Sequence, residues 1–196
     1  IEEKYMEYYD YKIARNLAWK VLIECDIREF SVNLAKIINH YGIYLIRYSE
    51  SDYINRHSLP NEDGFSRLID GKPIIYYNDQ KPIYRARFTL AHEIGHILLG
   101  HLANGETLHR NTEYDVLDVK EQQANVFARD ILMPATVLHS LGIKSAEDIA
   151  RICNVSMLSA EIRYKRLTEL NERNVFNRHP LERQVYRQFN EYIKRC

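Results

Sequence analysis

The run His92-Glu93-Ile94-Gly95-His96 holds two imidazoles four residues apart, with a carboxylate next to the first. On a helix, residues i and i+4 project from one face, so both rings can reach a single cation. Neutral imidazole suits zinc, and a carboxylate beside a cation-activated water can take its proton. This set fits metal-assisted hydrolysis, with the peptide bond as the expected target.

A catalytic zinc takes three protein ligands and keeps a position open for water. His101 follows the pentapeptide one residue short of the HExxHxxGxxH spacing, and Gly100 stands one residue past that pattern's glycine. His101 is therefore expected at the rim. Glu121, in EQQANVFARDILMP, is the better third ligand, since it falls on a separate helical pattern able to pack beside the first. Asn125 lies one turn further along the same face, where it can accept the N–H of a ligand histidine and fix its tautomer. The plain alternative is that Glu121 and Asn125 face water. Glu106, Glu113, Asp115 and Asp118 are weaker acidic candidates. Two imidazoles and one carboxylate favour zinc over manganese. A second donor to the oxyanion stays open among Tyr76, Tyr77, Tyr114, His101 and His109.

The elements that must position these groups follow from hydrophobic spacing. An amphipathic helix is predicted over about 5–25, with Tyr9, Ile13, Leu17 and Val21 on one face. A second starts near Ser31 as cap, buries Leu34, Ile37, Ile38 and Tyr41, and stops at Gly42. GIYLIRY reads as a short strand. FSRLI and IIYYN form a hairpin around Asp70-Gly71-Lys72-Pro73. Pro73 limits its strand to a sheet edge or a strand start, and such an edge could pair with an extended peptide. The helix carrying the pentapeptide runs over about 83–99 and ends at Gly100, with Phe88, Ala91, Ile94, Leu98 and Leu99 as core contacts. The helix carrying Glu121 runs over about 119–133, and Pro134 breaks it and opens the next helix as its first residue.

Composition narrows the class. Lys and Arg together number 27, as do Asp and Glu, so no overall field draws the chain to nucleic acid or membrane. No apolar run approaches the roughly 20 residues of a transmembrane helix. The N-terminus IEEKYMEYYDY is unlike a secretory signal. Cys25, Cys153 and Cys196 are scattered without CxxC spacing, which argues against a disulfide framework or thiolate zinc site and favours a reducing cytosol.

RARFTLAHEIGHILLGH followed by EQQANVFARDILMP resembles the ImmA/IrrE family of metallopeptidases, which joins an HExxH helix to a helix bearing ExxAN-x-FA and a Leu-Met-Pro-like stop. Arg87 to Ala91 and the pentapeptide match the first block. Glu121, Ala124, Asn125, Phe127, Ala128, Leu132, Met133 and Pro134 match the second. The resemblance implies His92, His96 and Glu121 as zinc ligands and Glu93 as the catalytic carboxylate, in a gluzincin-like zinc metalloendopeptidase. Many relatives carry Glu directly before the Ala-Asn pair; here that position is Gln123. The resemblance also implies that the substrate is a helix-turn-helix repressor, whose cleavage releases transcription of mobile-element or stress genes.

SAEDIARICNVSMLSAEIRYKRL itself resembles a helix-turn-helix. Ser145 and Ser156 are caps, Ile149, Ala150 and Ile152 pack inward, Asn154 takes the tight turn, and Arg163, Lys165 and Arg166 lie toward the second helix's end. The first turn of that helix, Met157 to Ala160, is poor in base-reading side chains, so packing on the core or a protein partner is favoured over DNA binding, with the basic residues at best touching phosphates. The fold expected is α+β: a zincin-like helical core with a small, largely antiparallel sheet over 1–142, and a helical C-terminal segment over 143–196. A non-enzymatic regulator, binding DNA or a repressor around a structural metal, is the competing reading. Against it, structural zinc sites usually close with four protein ligands. A latent peptidase requiring an activator is a third.

Overall fold

The computed structural model describes residues 6–52, 63–102 and 118–196. Helix α1 (Tyr8–Glu24) buries Ala14, Ala18, Val21 and Leu22. The sequence pattern assigns this face to Tyr9, Ile13, Leu17 and Val21; Val21 is buried and Leu17 packs against the core, but Tyr9 is 69% exposed and Ile13 39%. The small Ala14 and Ala18 explain the difference, because they let α1 lie close against the Glu121 helix. Helix α2 (Leu34–His40) is capped by Asn33, whose side chain accepts from the Lys36 N–H, so it starts later than the expected Ser31. Gly42, at φ +61°, ends it.

Strands β1 (Tyr44–Arg47), β2 (Gly64–Ile69) and β3 (Lys72–Tyr77) form one mixed sheet in the order β1-β3-β2. The hairpin β2–β3 is antiparallel and turns through Asp70 and Gly71, both at positive φ. β1 adds to β3 in parallel, from Tyr44 opposite Ile74 to Arg47 opposite Tyr77. β3 is thus the central strand, not an edge. Pro73 is tolerated because β1 pairing begins only at Ile74, so Pro73 sits where β3 has a single neighbour. Among the described residues β1 and β2 are the edges. Ser66 pairs with Ile75 on one face of the sheet. The neighbouring pair, Phe65 and Tyr76, stacks at 4.8 Å on the other, in a small cluster with Tyr48.

Helix α3 (Ile83–Leu98) crosses the sheet and packs along α4 (Val119–Leu132), which also lies against α1. Every residue from Ala91 to His96 is buried, so this stretch of α3 is enclosed on all sides. Its polar side chains must therefore find partners inside the protein. Pro134 stands just before α5 (Ala135–Ser140), one place earlier than expected.

Helices α6 (Ala146–Cys153) and α7 (Met157–Glu172) meet at Asn154, at φ +53°, with Ser145 and Ser156 as caps. The chain continues through α8 (Pro180–Gln188) and α9 (Asn190–Arg195). Ile149, Leu167, Val185 and Phe189 join the same hydrophobic core as Ala18, Ile94 and Phe127. Arg163 corrects the expectation that it touches phosphate. It is 1% exposed, its Nε donates to the Met133 carbonyl at 2.7 Å, and its guanidinium meets Asp130 at 2.8 Å. It ties α7 to the end of α4. No helix among the described residues is long and apolar enough to cross a membrane.

Candidate metal centre

α3 supplies His92, Glu93 and His96, and α4 supplies Glu121 and Asn125. The helices approach closely because Gly95 has no side chain. A Cβ there would stand 3.0 Å from Cδ1 of Phe127 and 3.3 Å from Cα of Ala124. This proximity brings His92, His96 and Glu121 into a cluster whose ligand atoms lie within 4.8 Å of one another. His92 Nε2 is 2.9 Å from His96 Nε2. Glu121 reaches both rings, with Oε2 3.2 Å from His92 Nε2 and Oε1 2.9 Å from His96 Nε2. Burial pushes the Glu121 carboxyl up, but when the His92 and His96 rings are protonated their hydrogen bonds and charge outweigh it, holding the group well below the usual carboxylate range.

The far sides of the rings fix their tautomers. His92 Nδ1 lies 3.0 Å from Asn125 Oδ1, which can only accept, so Nδ1 carries the hydrogen and Nε2 presents a lone pair. His96 is held through a longer chain. The Gln123 amide Nε2 donates to the Asp10 carbonyl, which leaves its Oε1 to accept from His101 Nε2 at 3.1 Å. His101 Nδ1 is then an acceptor and takes the hydrogen of His96 Nδ1, also at 3.1 Å. His96 Nε2 therefore also presents a lone pair. Burial, then the charge that His96 carries when protonated, pushes the His101 pKa down to about 4, consistent with a neutral ring.

Two lone pairs and a carboxylate facing one another repel unless a cation or proton lies between them. The donor set of two imidazole nitrogens and one carboxylate suits a divalent transition metal, and nothing in the surrounding hydrogen bonding needs to change to receive one.

Glu93 is 5% exposed and accepts a hydrogen bond from Ser66 Oγ at 2.7 Å. Ser66 was not among the sequence candidates. Its only signal was its place in FSRLI, where alternation puts it on the same face as Leu68. His101 lies behind His96 rather than in the ligand cluster. Tyr76 is on the opposite sheet face from Ser66, and the Tyr77 hydroxyl accepts from Arg47 Nε. Asp118 caps α4 by accepting from the Lys120 N–H. Glu106, His109, Glu113, Tyr114 and Asp115 lie outside the described residues. Cys25 and Cys153 are buried free thiols, pushed up by that burial to about 11 and about 12, which excludes them as ready thiolates.

The sequence model of the IrrE N-terminal-like domain, peptidase M78, matches residues 41–165, a span that holds Ser66, the whole His-His-Glu cluster, Glu93 and Asn125. No curated protein matches the chain.

Proposed function

The chain belongs to the IrrE N-terminal-like family, peptidase M78, and from that membership we propose a zinc-dependent endopeptidase that works in a reducing cytosol and cuts a helix-turn-helix repressor. The carrying observation is the pair of imidazole Nε2 atoms facing each other at 2.9 Å across the Glu121 carboxylate, each ring held from behind. His92, His96 and Glu121 would hold the ion. When bound, zinc lowers the pKa of a water toward about 7 and polarises a carbonyl.

The remaining chemistry belongs to the protein. Glu93 takes the proton of the attacking water and returns it to the leaving amine. Ser66 positions that carboxylate by donating to one oxygen, which leaves the other to face substrate. β2, which carries Ser66 and is an edge strand among the described residues, would offer main-chain groups to an extended peptide. The burial of the 91–96 segment keeps bulk water from competing for the ligand lone pairs. The free cysteines fit a reducing compartment. The repressor substrate, and release of mobile-element or stress genes by its cleavage, rest on the resemblance to ImmA/IrrE peptidases. DNA binding is a weaker reading, because the first turn of α7 presents Met157 and Leu158 and its Arg163 is committed inside.

The test is incubation of the chain with candidate helix-turn-helix repressors, with and without chelator, beside Glu93→Gln. Zinc-dependent cleavage that Glu93→Gln abolishes while still retaining zinc is the expected result. Cleavage by Glu93→Gln at the wild-type rate contradicts the proposed base.

A further inference from the structure

A cavity of about 430 Å³ opens between α1, α7, the segment 173–179 and the start of α8. Asp130 is at its inner wall, at the far end of α4, nine residues and so ~14 Å along the helix from Glu121.

Its walls are cationic. Lys12, Arg15, Arg173 and Arg178 all line it, and among the described residues none of the four has a carboxylate within ion-pair distance. The two carboxylates of the lining are already used. Asp130 meets Arg129 and Arg163. Glu182 accepts the backbone N–H groups of Arg178 and His179 in the capping box of α8. Burial, then the charge of Arg15, pushes the His179 pKa down, as a positive field at this wall requires.

Aromatic rings take the place of counter-anions at Lys12 and Arg15, and the neutral Asn16 Oδ1 and Asn174 carbonyl accept from Arg15 and Arg178. The Arg15 guanidinium lies 4.5 Å from the Trp19 ring centre, and Lys12 Nζ lies 4.5 Å from that of Tyr8. Cation–π contact orients the cations while leaving their charge uncompensated. Tyr8 is 68% exposed and keeps its ring accessible at the mouth. Unpaired cations are costly to gather in one place without an anion. The volume falls in the range of small-ligand sites and exceeds what a bare phosphate fills.

We propose that this cavity binds a nucleoside di- or triphosphate, with the phosphates on Lys12, Arg15, Arg173 and Arg178 and the base against the Tyr8 ring. Phosphate oxygens match guanidinium forks, and the planar base matches the aromatic wall. This site does not depend on the proposed peptidase chemistry.

Trp19 is the only tryptophan in the chain and lines the cavity, so its fluorescence reports occupancy. The zinc-loaded full chain is titrated with adenosine and guanosine triphosphate, inorganic tripolyphosphate and a short single-stranded oligonucleotide, with calorimetry in parallel. Saturable binding of a nucleotide, tighter than tripolyphosphate, is expected. Lys12→Gln and Arg173→Gln alter exposed side chains, so circular dichroism should stay unchanged while each variant weakens nucleotide binding by about tenfold. Tyr8→Ala should weaken the nucleotide but not tripolyphosphate. Absence of saturable binding, or unchanged affinity in the Lys12→Gln/Arg173→Gln double variant, overturns the site. Equal binding of tripolyphosphate overturns base recognition, and tighter binding of the oligonucleotide overturns the mononucleotide assignment.

Discussion

Replacing Gly95 by alanine tests whether the contact between α3 and α4 positions the cluster. The new Cβ would meet the Phe127 ring at 3.0 Å and the Ala124 Cα at 3.3 Å, and both residues are fully buried. The Ala124 atom is backbone and cannot rotate away, so α4 must move by a few tenths of an ångström. Alanine gains about 1 kcal/mol over glycine in a helix interior. Overpacking a close contact costs about 1–3 kcal/mol. The net is a loss of roughly 0–2 kcal/mol, or up to about 8 °C in Tm for a chain of this size. The larger effect falls on the metal. Glu121 is one turn before Ala124 on the helix that shifts, and it must stay close to both rings, as at 2.9 Å from His96 Nε2. Zinc affinity should fall by about tenfold or more, although no ligand has changed. Thermal melting of the metal-free protein gives the first quantity, and competition with a chromogenic chelator gives the second. A variant stabilised by the full ~1 kcal/mol with wild-type zinc affinity would refute the reasoning.

Ser66→Ala removes the hydrogen bond to Glu93 and should lower kcat on a cleavable repressor by about tenfold or more, with zinc affinity and KM near wild type and partial rescue by Ser66→Thr; unchanged kcat would rule out the positioning role. Asn125→Ala frees the back of His92 and should weaken zinc binding about 10–100-fold, measured by chelator competition, whereas an unchanged constant would remove Asn125 from the site. Asp130→Asn leaves the buried Arg163 short of a charge partner and should cost about 3–5 kcal/mol in urea unfolding at neutral pH. Burial alone would raise the Asp130 pKa, but the charges of Arg129 and Arg163 outweigh it and lower the value on folding. Its stabilising contribution is therefore fully present above the unfolded aspartate pKa of about 3.9 and is lost as pH falls through the lower folded value. Asp130→Asn should lack this part of the acid dependence, and identical acid profiles for the two proteins would contradict it.

Local geometry made part of this legible in the sequence. The spacing of His92 and His96 fixes their common face once the segment is helical, and Glu121 with Asn125 one turn later needs only a second helix alongside. Caps at Ser145 and Ser156 and the turn at Asn154 are also local. What escaped depends on contacts between distant segments. Ser66 reaches Glu93 across 27 positions, and only the register of β2 against β3 aims it there. His101 fell one residue short of a known spacing and looked peripheral. The turn at Gly100, with φ +72°, folds His101 back so that its N–H meets the His96 carbonyl and its ring backs His96. Arg163 looked like part of a basic helix end, since nothing local reveals that Asp130 and the Met133 carbonyl wait for it. Pro73 restricts its strand to an edge or a strand start, and it stands at the start of β3; that β1 joins only from Ile74, which makes β3 central, is a tertiary fact.

X-ray absorption at the zinc edge of the reconstituted protein tests the central claim most directly. One zinc per chain is expected, bound by two imidazole nitrogens at about 2.0–2.1 Å and by carboxylate and water oxygens at about 2.0–2.2 Å, with the signal of both imidazoles retained in Glu93→Gln and zinc lost at low concentration in Glu121→Ala. A sphere containing sulfur, a single imidazole, or full zinc retention in Glu121→Ala would contradict it.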